Sequence, residues 1–200
     1  GDWQGGIDKW EAKSGKKMNR KLLLGSEATL ARMKHEQLIS REYTPLGLAE
    51  IYHQRTFLVD GSANMNRVKM SKEDVEAMAS SEGGHRKGNF GLRDPLAVQD
   101  ALAANMWAYR WAGYASDESS RAWSDAWSMH FRNPKLGGRK FADFYWAYQW
   151  KLCLRMREGL TFDEAAMEVE SDREGLKTII EDIHEKAAEG RSSDDHPIIA

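Results

Sequence analysis

Cysteine is almost missing from this chain. Cys153 is the one thiol in 200 residues, which excludes an internal disulfide framework and any metal site built from several cysteines. Long apolar runs are missing too. Leu22-Leu23-Leu24 and Ile179-Ile180 stop far short of the ~20 residues that span a bilayer, so no transmembrane segment is expected. No signal peptide is visible. The chain opens at Gly1 rather than Met, as a processed product or an expression start would. One unpaired thiol suits an intracellular, reducing compartment, with an organelle matrix reached after presequence removal as the variant of that reading. Net charge is small as well, at −2.

Tryptophan is what the chain has in excess. Trp107/Trp111, Trp123/Trp127 and Trp146/Trp150 share the spacing W-x-x-x-W. On a helix, i and i+4 lie one above the other on a single face. Two of the pairs sit in near-identical pentapeptides, Trp107-Ala108-Tyr109-Arg110-Trp111 and Trp146-Ala147-Tyr148-Gln149-Trp150. Two copies with divergent flanks read better as convergent aromatic packing than as a structural repeat. The hydrophobic fraction of 41% is enough for a sizeable core.

The pattern predicts a mainly α protein: an irregular bundle of about six to seven helices, with an extended N-terminal arm and a short hairpin or loop near 55–70. Residues 1–25 read as an extended basic arm carrying Trp3 and Trp10. An N-terminal helical region follows over 26–82. It opens with a helix at about 27–42 capped by Ser26, restarts at Thr44-Pro45, and opens a short helix at Ser71-x-x-Asp74. Residues 83–93 form a Gly-rich basic linker. The Trp-rich helical core spans 94–158, with Asp94-Pro95 as its first helix start. Its helix at about 139–158 is apolar on two faces, which places it in the middle of the domain or between the domain and a partner. Residues 159–190 form an acidic helical hairpin with capping boxes at Thr161-x-x-Glu164 and Ser171-x-x-Glu174. Residues 191–200 are a tail.

The final two helices carry a helix-turn-helix pattern. Leu160-Thr161-Phe162-Asp163-Glu164-Ala165-Ala166 leads through Val169 and Ser171 to Leu176 and Ile179. Over about twenty residues this resembles the DNA-binding helices of region-4-type sigma factors and response regulators. The resemblance implies DNA reading by the second helix. The charge argues the other way: that helix opens Asp172-Arg173-Glu174, and a recognition helix must approach phosphates.

Few constellations suggest chemistry. Glu50/His53 and Glu181/His184 have the i,i+3 spacing of carboxylate-bridged metal bundles, but partner carboxylates on other long helices are not evident, so no metal or cofactor is expected. Arg86, Lys87 and Arg93 in the glycine-rich segment offer a phosphate contact without the G-K-[ST] ending of a P-loop. Cys153 and His130 lie on aromatic stripes and read as packing residues. No catalytic set emerges.

The expectation is a non-catalytic structural or accessory subunit of a larger assembly, not an enzyme. Trp3, Trp10, Trp146 and Trp150 are its expected protein contacts, since aromatic anchors dominate interfaces. The alternative is a nucleic-acid-associated protein, a virion or ribonucleoprotein component, using the basic arm and the 85–93 loop.

Overall fold

The computed structural model describes residues 3–52, 92 and 94–189, with side chains in the first helix from Gly5 onward. The expected 55–70 hairpin, the Ser71 helix start and the 191–200 tail lie outside the described residues, as does all of the 83–93 linker except Leu92. Among the described residues the chain is mainly α-helical and has no strand, so the helical bundle holds.

The N-terminal arm is the first correction. Residues Trp3–Ser14 form helix α1 instead of an extended strap. Ile7, Trp10 and Glu11 fall at i, i+3 and i+4, and Ile7 is completely buried. Gly6 looks unfavourable in a helix, yet close approach explains it. A Cβ there would sit 3.0 Å from the Trp111 indole. Gly15, at φ +72°, ends the helix, and its N–H donates to the Glu11 carbonyl. A 3₁₀ turn at Arg20–Leu23 then buries Leu22 and Leu23 and packs against the helix described below as α3.

Helix α2, Glu27–His35, runs straight into a π-helical turn at Glu36–Ser40 and stops at Arg41, which is left-handed at φ 59°. Ser26 stands at the N-cap position, but its hydroxyl makes no cap bond. The restart expected at Thr44-Pro45 does not occur. The Thr44 N–H and hydroxyl both donate to the Glu36 carboxylate, at 2.7 and 2.9 Å, so the chain stays irregular over 41–47 and turns helical only at 50–52.

Helix α3, Pro95–Trp111, starts as its sequence dictates: Asp94 accepts from the Leu96 N–H and Pro95 occupies the first turn. Helix α4, Asp117–Phe131, is capped by Ser116. Helix α5, Arg139–Arg157, is the centre of the molecule. From Phe141 through Gln149 every residue is buried, which resolves the two-faced pattern as a helix surrounded by its own domain. Trp127 of α4 is fully buried against it, 4.8 Å from both Tyr145 and Tyr148. Helices α6, Phe162–Ser171, and α7, Arg173–Ala188, pack on α5 and on each other.

The Thr161 capping box forms in full. The Ser171 box does not. Ser171 is the last residue of α6, and Asp172 caps α7 by accepting from the Gly175 N–H at 2.9 Å. A single residue therefore separates α6 from α7, whereas the DNA-binding motif joins its helices by a turn of about 3–4 residues.

The two W-A-Y-x-W copies bury different members. Ala108 and Ala147 are both at 0%, but the first copy buries its second tryptophan, Trp111, and the second copy its first, Trp146. The copies are not equivalent in packing, as convergence would have it.

Candidate functional site

Where α1 ends against α3 and α4, the surface opens into a cleft of about 490 Å³. Its lining includes Lys16 and Lys17 from the segment after α1, Trp107 and Arg110 from α3, and Arg121 and Ser124 from α4. Four cations there face two carboxylates, Asp117 and Asp125. Asp117 is already shared, since Arg110 and Lys16 both pair with it.

The helical register explains these positions. Trp107 and Arg110 are three residues apart, so they occupy one face of α3. The Arg110 guanidinium lies 4.1 Å from the Trp107 ring centre and 5.3 Å from that of Trp10. Its side chain is only 11% exposed, and its Nε is buried without a hydrogen-bond partner. Burial, with the nearby charge of Arg121 adding to it, holds Arg110 below the ordinary guanidinium value.

A second surface is apolar and aromatic. Leu38 and Ile39, on the π turn, are 70% and 71% exposed. Next to them in sequence, the Gln37 amide oxygen accepts from the Tyr43 hydroxyl at 3.0 Å. Tyr43 is in turn held by Arg157, whose Nε donates to its carbonyl at 2.8 Å. The Arg157 guanidinium also covers the half-buried Trp150, 5.3 Å from its ring centre. The bonds thus link the π turn to the exposed edge of α5.

The expected contact residues divide accordingly. Trp150 is at this second surface, edge-on to Trp146 at 6.4 Å. Trp146 is only 5% exposed, so the chain itself covers it. Trp10 packs edge-on against Trp107 at 6.0 Å and stays half-buried. Trp3 opens α1, and its side chain is outside the described residues. Arg86, Lys87, Arg93 and His53 also lie outside them.

The remaining titratable groups hold the fold. Glu50 pairs with Arg32 at 3.3 Å, and Arg32 reaches Glu36 at 3.5 Å. Burial works against the Arg32 charge, but Glu50 and Glu36 outweigh it and raise its pKa. His184 Nε2 donates to the Lys135 carbonyl at 2.7 Å, tying α7 to the turn before α5, and Glu181 is on the exposed face of α7. Among the described residues no three His, Cys, Asp or Glu side chains gather as a metal site. His130 packs tilted on Phe144, ring centres 5.0 Å apart, and its Nε2 is 3.0 Å from both Glu170 oxygens, to one of which the Tyr148 hydroxyl donates at 2.7 Å. Cys153 is buried, and burial pushes its thiol well up.

Sequence reasoning missed the cleft. Arg110 stands inside a pentapeptide whose tryptophans dominate the eye, and Arg121 lies among serines. Lys16 and Lys17 were visible only as members of a basic cluster. Compared with known proteins, the chain matches no family model, no curated protein and no solved structure.

Proposed function

We propose that this protein is a non-catalytic accessory subunit that binds a protein neighbour through the surface joining the π turn to Trp150. The observation carrying this reading is the pair Leu38 and Ile39, 70% and 71% exposed on a turn that Gln37, Tyr43 and Arg157 link to an Arg-covered tryptophan. Trp, Tyr and Arg are the residues that interfaces use as anchors, and exposed aliphatic neighbours supply the apolar area around them. A π turn is also a common mark of functional positions in helices. The placement of the chemical groups supports the same reading. His130, His184, Cys153 and Glu50 each serve packing or pairing inside the fold. Among the described residues no helix is long and apolar enough to cross a membrane.

Removing residues 1–25 is a poor test, because it would strip Ile7, Leu22 and Leu23 from the core. The better test is affinity capture of the tagged chain from its native lysate, with and without nuclease, beside a Leu38→Asp/Ile39→Asp variant. Both positions are exposed, so the variant should keep wild-type stability to within about 0.5 kcal/mol. Stoichiometric protein partners that survive nuclease and vanish in the variant are the expected result. Partners lost with nuclease would favour the nucleic-acid reading, and no partner at all would refute both.

A further inference from the structure

We propose that the cleft between α1, α3 and α4 is a binding site for a phosphate-bearing small molecule, up to the size of a nucleotide. The cleft shares no residue with the π-turn surface, so this site and the subunit reading stand or fall separately.

The first argument is charge. Four cations line the cleft against two carboxylates. Asp117 is consumed by Arg110 and Lys16, while Arg121 has no carboxylate partner among the described residues. Lys17 reaches Glu11 only at 3.9 Å, with its side chain 93% exposed. The positive excess of two matches the dianion of a phosphate monoester.

The second argument is independent of that count. The Arg110 side chain is nine-tenths buried, and its Nε–H has no acceptor. An unmade hydrogen bond on a buried charged group is costly. Its position is held by stacking on Trp107, not by a full set of acceptors. A second guanidinium, Arg121, raises the local potential further. An anion between the two guanidinium groups offsets their mutual repulsion.

Geometry favours phosphate over carboxylate. The donors come from three segments, the stretch after α1, α3 and α4. A tetrahedral group with three acceptor oxygens can meet donors from several directions, whereas a carboxylate presents two oxygens in one plane. Arginine forks suit phosphate oxygens, and the lysines add point charge. The volume falls within the range of small-molecule sites.

The test is isothermal titration and thermal melting of the full chain with pyrophosphate and with ADP, with sodium sulfate and a single-stranded oligonucleotide as comparisons. Arg121→Glu and Lys17→Ala are the variants, both on exposed side chains. Saturable one-to-one binding of ADP and pyrophosphate is expected, each displacing the other and weakening with added salt. Arg121→Glu should weaken binding by about ten-fold or more, the worth of one charge-assisted hydrogen bond. Lys17→Ala should weaken it less. No heat and no melting shift with either phosphate probe would overturn the proposal. So would equal affinity in Arg121→Glu, sulfate binding as tightly as ADP, or binding of the oligonucleotide alone.

Discussion

Glu170 shows how one side chain can tie three helices. It stands at the end of α6, bonded to His130 of α4 and Tyr148 of α5. Burial raises its pKa, but the bonds from His130 and Tyr148 outweigh burial and hold the carboxyl below its ordinary value of 4.5. A depressed carboxylate stabilises the fold fully above that ordinary value, and the contribution is lost as pH falls through the lower, folded value. Glu170→Gln should therefore lower the melting temperature at pH 7, and the gap from wild type should close below about pH 4.5. A gap that stayed constant down to pH 3 would show that the carboxylate's charge is not what matters. His130 itself was legible in the sequence as a packing residue. Glu170 was not, because its partner lies forty residues away and nothing local marks it.

At the scale of elements, the helices that the sequence announces most clearly are those with local stop and start chemistry. Asp94-Pro95 and the Thr161 box each place a helix start where it is found. Thr44-Pro45 has the same local chemistry and fails, because the Glu36 carboxylate captures the Thr44 N–H and hydroxyl that a helix start would use. Helix α1 fails in the opposite sense. Its glycines and scattered charges read as an arm, and tertiary packing, with Ile7 buried and Gly6 fitted under Trp111, makes it a helix. Gly6→Val should push the helix off Trp111, at about 1–3 kcal/mol for overpacking. Rapid proteolytic release of residues 3–14 from the variant, with the wild type resistant, would be its signature. Equal resistance would mean that Trp10 on Trp107 and Arg20 on Asp8 and Glu11 are sufficient anchors.

Across the whole molecule, the helical class was legible because tryptophan pairs at i,i+4 recur on three segments that are all helices. The surfaces were less legible. Trp10 and Trp146 have the composition of anchors, but the chain packs both against its own aromatic rings, while Trp10 and Trp150 each remain partly at the surface. Sequence composition gives the residues suited to an interface; it does not say which of them the fold has already covered. The cleft is less visible still, since its cations come from three separate segments and converge only in three dimensions.

Helix α5 also sets a clock. Its amides from Phe141 to Gln149 are sealed by α4, α6 and α7, so no local fraying can expose them to solvent. In deuterated buffer they should exchange last, at a rate set by unfolding of the entire domain. The amides of α1, packed at the edge of the domain against α2 and α3, should exchange long before. If α5 and α1 exchanged together, the domain would open as a single unit, and that edge would be as permanent as the core it covers.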